Sequence, residues 1–187
     1  MGRQAADTPL RMSRPEFRRW ADVQPRGRYE RVDGVVVGMV AERAGHVRVK
    51  MRVWRAFDGA LRAAGLPCEA MGDGMTVEVD DDSDYEPDAL ISSGPRLGDD
   101  EIAVAKPVVV VEVLSPAAQS VDTGLKLSGY FLVPSIRHYL IVRADRCAVV
   151  HHWRRDDGGI ETRLLTAGSI TLDPPGISLG LEEFYAD

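Results

Sequence analysis

Residues Val108 to Val111 form an unbroken β-branched run, preceded by Lys106 and Pro107 and closed by Glu112. Period-two alternation disappears when neither face of a strand meets water, so this run reads as a central strand buried on both faces. Glu112 then projects a carboxylate from the end of that strand. An ionised carboxylate costs several kcal/mol to bury alone, so at such a place it needs a cation, a proton or a strong donor. A metal ion is the sharpest of these possibilities.

The rest of the chain is long enough to enclose such a strand. At 187 residues, 44% of them hydrophobic, it can bury a core without staples. The formal net charge of −6 excludes a molecule that attracts nucleic acid over its whole surface, though not an enzyme that meets phosphates in a local cleft. Cys68 and Cys147 lie far apart with no metal-ligand spacing and read as reduced thiols. The first residues carry no apolar signal region, and no stretch approaches the run of about 18 apolar residues that a membrane span needs, so the chain reads as cytoplasmic and free of membrane.

Residues 1 to 11 read as a disordered lead. Ser13 then opens a short helix, with Pro15 early in its first turn and Glu16 placed for a capping box. Seven arginines fall between Arg11 and Arg31, and either a solvated basic surface or an edge that contacts phosphates or a partner accounts for them. Tyr29 to Val32, the turn Asp33-Gly34 and Val35 to Val40 spell a β-hairpin whose first strand carries Glu30. A helix from about Arg43 to Ala64 follows, with Val47, Met51, Trp54 and Leu61 as its apolar stripe and Gly65 as its C-cap. His46 lies in its first turn, where a histidine is more often a surface or capping residue than a ligand.

Short strands are expected over residues 66 to 92, around turns at Gly72-Asp73-Gly74 and at Asp81 to Asp84. Seven acids lie between Glu78 and Asp88. A calcium loop beginning at Asp80 fails, because it lacks the Gly at position six and the Glu at position twelve. Most of the run reads as a solvated loop. Asp88 stands apart, since Pro87-Asp88 leads straight into the apolar Ala89 to Ile91. A polar connector spans residues 93 to 106. Beyond the central strand come strands at about 137 to 143, 146 to 154 and 160 to 165, and a short C-terminal helix near Leu181 to Tyr185. Strands alternating with helices around one valine-rich strand make this an α/β domain.

Three residues combine into chemistry. Asp88 begins one strand, Glu112 ends another, and Lys126 follows on a helix. Two hard oxygen ligands, the Val113 backbone carbonyl and waters would make a Mg²⁺ site, with Mn²⁺ as a substitute. A lysine beside it would orient an attacking water or stabilise charge on a phosphate, which suits phosphodiester hydrolysis.

Pro87-Asp88, Glu112 with Leu114, and Lys126 resemble the PD-(D/E)xK nuclease superfamily. The wider pattern resembles the Uma-type family of bacterial restriction-endonuclease-like proteins: Gly27 to Gly34, Pro87-Asp88, Val111 to Pro116, Asp122 with Lys126 and Tyr130, and Val133 to Val142. It covers roughly residues 10 to 186. The resemblance implies a restriction-endonuclease-like core, a mixed central sheet flanked by helices, with an N-terminal helix and β-hairpin, in a single nuclease-like domain over residues 12 to 187. It implies catalytic Asp88, Glu112 and Lys126, and DNA as the partner.

The chain departs from the superfamily pattern where Leu114 replaces the lysine two positions after Glu112, so Lys126 would have to reach the site from the following helix. Without the resemblance, Asp122 and Lys126 would read as an exposed i,i+4 ion pair. Tyr130 extends their face. Glu30 either supports the metal site or forms a cross-strand bridge with an arginine. Relatives commonly carry Gly after the histidine that His46 matches, whereas here Val47 follows, which weakens any role for His46. Ser115 lacks the surroundings of a nucleophilic serine. The acidic surface offers no evident grip on DNA unless the N-terminal arginines supply it, in one arrangement across a homodimer. The rival reading is a nuclease fold that is catalytically idle and serves as a binding or regulatory module.

Overall fold

A computed structural model of the protein describes residues 10–39, 41–114 and 120–186, with backbone alone for residues 120–123. Among the described residues the elements are α1 (Arg14–Asp22), β1 (Tyr29–Val32), β2 (Val35–Gly38), α2 (Ala44–Ala63), β3 (Cys68–Gly72), β4 (Val77–Glu78), β5 (Asp84–Tyr85), β6 (Ala89–Ser93), β7 (Pro107–Leu114), α3 (Ser120–Tyr130), β8 (His138–Arg143), β9 (Val149–Arg154), β10 (Ile160–Leu165), β11 (Ser169–Leu172) and β12 (Ile177–Gly180), followed by a 3₁₀ turn at Leu181–Phe184.

The main sheet has six strands in the order β10-β9-β8-β7-β6-β3. The valine-rich strand is β7, flanked by β8 in parallel and β6 in antiparallel, so the sheet is mixed. A parallel neighbour requires a crossover, and α3 lies within it. Every β7 residue except Leu114 is buried. Val109, Val111 and Val113 pack with α2 and the C-terminal hairpin, while Val110 joins Tyr130, Tyr139 and Ile141 on the other face. Alternation along the strand gives Glu112 the face of Val110.

A second sheet, in the order β2-β1-β5-β4, stands beside it. Its β1–β2 hairpin turns at Asp33 and Gly34, both at positive φ (49° and 77°), the conformation expected for Asp-Gly in a two-residue turn. The N-terminal helix is also as expected, with the Ser13 amide donating to the Glu16 carboxylate at 2.9 Å. Leu10 and Arg11 run against β2: the Val36 amide donates to the Leu10 carbonyl, and Arg11 bridges Val35.

Three expectations need correction. The buried stripe of α2 is Val49, Val53, Ala56, Phe57 and Leu61, while Val47 and Met51 face solvent. Two apolar stripes overlap in this helix, and Phe57, packed edge-on against Phe184 with ring centroids 6.1 Å apart, decides which one turns inward. Asp84 is not part of a solvated loop but is buried in β5. The C-terminal segment contributes a hairpin, β11–β12, as well as its short helical turn; Ile170, Leu172, Ile177 and Leu179 alternate into the core from its two arms.

Candidate active site

Glu112 meets two residues of α3, one of which also holds an acid from β1. Lys126 Nζ lies 3.0 Å from Glu112 Oε1 and 2.9 Å from Glu30 Oε1, and Tyr130 Oη donates to Glu112 Oε1 at 2.6 Å. Lys126 and Tyr130 are four apart on α3, so one helical face delivers both to the strand. Glu30 comes from β1, and its Oε1 also accepts the Glu86 amide at 2.8 Å. The Tyr85 ring lies 5.7 Å beneath the Lys126 ammonium and edge-on to Tyr130. Gly129 makes that packing possible, because a Cβ there would fall 2.6 Å from Tyr85 Oη. The side chain of Asp122 lies outside the described residues, as do residues 115–119, which include Ser115.

Asp88 stands next to Glu112. The register that pairs Ala89 with Val111 continues to this pair, and the Asp88 amide donates to the Val111 carbonyl at 2.9 Å. The Val113 amide donates to Asp88 Oδ2 at 2.6 Å, locking the carboxylate against the strand end. Val113 thus touches Asp88 through its N–H. Toward α2, Asp88 Oδ1 receives Lys50 Nζ at 2.8 Å, and His46 Nε2 lies 3.6 Å from Oδ2. Glu42, His46 and Asp88 each bring a ligand atom within 4.8 Å of the other two. Among the described residues the group that converges in this way is Glu42, His46 and Asp88, with Glu112 adjoining Asp88 through the sheet.

The two neighbouring carboxyls are pushed in opposite directions. Burial raises Asp88, but His46, the Lys50 ammonium and the Val113 amide outweigh it and hold the group below the usual aspartate range. Burial raises Glu112 to about 7; Lys126 and Tyr130 oppose the rise, while Asp88 and Glu30 add to it.

Sequence reasoning missed Lys50, Glu42 and Asp73. Lys50 is buried, and its ammonium also meets Glu42 at 2.7 Å and Asp73 at 2.5 Å. Its helical spacing from His46 was the available signal, obscured because the stripe through Val47 and Met51 turns Lys50 to solvent.

Four of the seven N-terminal arginines are paired with acids, chiefly those of the acidic run. Arg31 and Arg14 grip Asp84 at 2.7 and 2.6 Å, Arg18 meets Glu78, and Arg28 meets Glu86 and Asp73 at 2.8 and 2.6 Å. Arg31 is completely buried. These four side chains fasten the N-terminal segment to the acids around β4 and β5, while Arg11, Arg19 and Arg26 are exposed, as the reading of a solvated basic surface expects.

Residues 14–185 match the Uma2 family, whose description is "Putative restriction endonuclease". The chain belongs to the Uma2 family. The Synechocystis "Uncharacterized protein slr1290" is 25% identical to this Uma2 protein over 177 residues, which span 94% of this chain and 92% of the relative. In three dimensions the Uma2 chain matches a crystal structure described as a "putative nuclease" from Anabaena variabilis, with a TM-score of 0.72 over 94% of this chain and 98% of the other. At 13% identity that likeness is one of fold. It bears out the mixed sheet flanked by helices. Among the described residues, no helix is long and apolar enough to cross a membrane.

Proposed function

We propose that this Uma2 protein is a metal-dependent endonuclease that hydrolyses DNA phosphodiester bonds, with Asp88 and Glu112 holding Mg²⁺, for which Mn²⁺ can substitute, and Lys126 orienting or polarising the attacking water. The observation that carries the proposal is the meeting of Lys126 with Glu112 at 3.0 Å on the strand beside Asp88. The lysine missing two positions after Glu112 is thereby supplied by α3.

The donor set fits a divalent cation. Glu30, Glu42, Asp73, Glu86, Asp88 and Glu112 face Arg28, Lys50 and Lys126, so carboxylates outnumber cations. Hard oxygen donors with a charge deficit are what Mg²⁺ and Mn²⁺ select. Among the described residues the hydrogen bonds to Glu112 fall on Oε1, which leaves Oε2 to coordinate. Asp88, with Oδ2 pinned by the Val113 amide, presents a fixed carboxylate at the adjoining position.

When bound, the ion would neutralise charge on the scissile phosphate and acidify a water. Lys126 would hold that water for attack on phosphorus as the P–O bond to the leaving oxygen breaks. Glu30 steadies the ammonium, and Tyr130 steadies the carboxylate it serves. Burial raises Glu112 to about 7, and a bound cation would favour its charged form.

One observation favours the idle-module reading: Asp88 already has Lys50 and Glu112 already has Lys126, so both carboxylates are paired without a metal. Thermal unfolding with and without Mg²⁺ or Mn²⁺ separates the two. The nuclease reading expects stabilisation of about 1.4 kcal/mol once free metal reaches roughly ten times its dissociation constant, lost in Asp88→Asn. No shift at millimolar metal would favour the idle module.

A further inference from the structure

Lys50 occupies an unusual position for a surface-helix lysine. It is only 5% exposed, and its Nζ is met by one carboxylate oxygen from each of three separate segments: Glu42 before α2 at 2.7 Å, Asp73 after β3 at 2.5 Å, and Asp88 before β6 at 2.8 Å. An ammonium has three N–H donors, and these three acids account for all of them. One helical turn earlier, His46 turns Nε2 toward Asp88 Oδ2 at 3.6 Å, and that nitrogen is buried with no hydrogen-bond partner among the described residues. Three carboxylate oxygens meet at Nζ, and the ligand atoms of Glu42, His46 and Asp88 lie within 4.8 Å of one another, which together offer a donor set for a divalent ion. Here the point is filled by a covalently tethered charge. Arg28 shares Asp73 at 2.6 Å and also holds Glu86, so four acids here face two cations even with Lys50 present.

We infer that Lys50 is a built-in cation that takes the place of a second divalent metal ion beside Asp88, and so limits this site to one metal. The inference rests on the reading that Asp88 and Glu112 hold an ion. It predicts which residue sets the metal count: with the ammonium gone, Glu42, His46, Asp73 and Asp88 are left to gather a second ion. A merely structural ion pair would not do so, because its loss would be met by protonation and loosening instead.

The test counts Mn²⁺ bound per chain at pH 7.5, by equilibrium dialysis with elemental analysis, in the wild type, Lys50→Met, Lys50→Gln and Lys50→Arg. The expected counts are one for the wild type, two for Lys50→Met and Lys50→Gln, and one for Lys50→Arg. Adding His46→Ala to Lys50→Met should weaken the second ion at least tenfold. Two ions in the wild type would overturn the inference whether or not any variant folds. So would a count in folded Lys50→Met or Lys50→Gln that does not exceed that of the wild type. Repeating the count with Glu112→Gln separates this inference from the reading beneath it. Lys50→Met with Glu112→Gln should keep one ion, dependent on His46. If the wild type binds none while Lys50→Met binds one, the metal reading of Asp88 and Glu112 falls, and with it the claim that the ion Lys50 displaces is a second one. If the wild type binds one and Lys50→Met also binds one, the reading stands and the inference falls.

Discussion

Lys126 Nζ stands between two acids distant in sequence, 3.0 Å from Glu112 Oε1 and 2.9 Å from Glu30 Oε1. All three side chains are buried. Removing the cation leaves two like charges in a low dielectric, so Lys126→Met should destabilise the protein by about 2 to 4 kcal/mol at pH 8. The loss should shrink toward pH 5. Glu112 already has a folded pKa of about 7 against an ordinary value of 4.5, and losing Lys126 raises it further. A group raised in this way stabilises the fold at low pH and loses that contribution as pH rises through its folded pKa. Urea titrations of both proteins at pH 5 and pH 8 measure the difference.

Asp84 serves the fold by accepting both Arg31 and Arg14. Asp84→Ala would strand the completely buried Arg31 guanidinium, at a cost of about 3 to 5 kcal/mol. Glu78→Ala, which removes a half-exposed partner of Arg14 and Arg18, should cost under about 1 kcal/mol. Comparing the two unfolding midpoints checks that the N-terminal arginines act chiefly through the buried acid.

Gly129 faces Tyr85 Oη at 2.6 Å from the position a Cβ would take. Alanine in a helix gains up to about 1 kcal/mol over glycine, but overpacking a buried ring costs about 1 to 3 kcal/mol. The clash should win because Tyr85 is buried against Tyr130. Gly129→Ala is therefore expected to lower the melting temperature and to displace Lys126 and Tyr130 from Glu112. Restoring the space with Tyr85→Phe in the same chain should recover part of the loss.

His138 and His151 pair at 2.9 Å, Nδ1 to Nε2, on the opposite face of the sheet from Glu112. Burial lowers them from 6.5 to about 4 and about 3 respectively, with Arg137 adding to the fall of His138 and His138 adding to that of His151. Between pH 6.5 and 4 the unfolded chain therefore binds more protons than the folded one, so stability rises with pH across that window and is lost on acidification. The loss should amount to roughly 2 to 4 kcal/mol for this coupled pair. His151→Phe should flatten the slope of unfolding free energy against pH.

The central strand was legible because a run of four β-branched residues has few other uses, and Glu112 stood at its end. Asp88 was legible from its place between a proline and an apolar strand. Lys126 became legible only through the wider pattern, since spacing alone also fits an exposed ion pair. Lys50 was hidden by helix phase: the stripe through Val47 and Met51 and the one through Val49, Val53 and Phe57 both have helical period, and packing against Phe184 chooses between them. Asp73 was hidden in a Gly-Asp-Gly turn, where an aspartate is explained by turn geometry alone. The clasp of Arg14 and Arg31 on Asp84 joins residues about fifty to seventy positions apart, a distance at which local sequence carries no pairing information.

The most direct measurement is cleavage of supercoiled DNA by the purified protein in Mg²⁺ and in Mn²⁺, beside Glu112→Gln and Lys126→Met of verified fold. The account predicts metal-dependent nicking or linearisation by the wild type, abolished by chelation and reduced at least a hundredfold in both variants. Cleavage that persists undiminished in Glu112→Gln, or a wild type that cuts with neither metal, would contradict it.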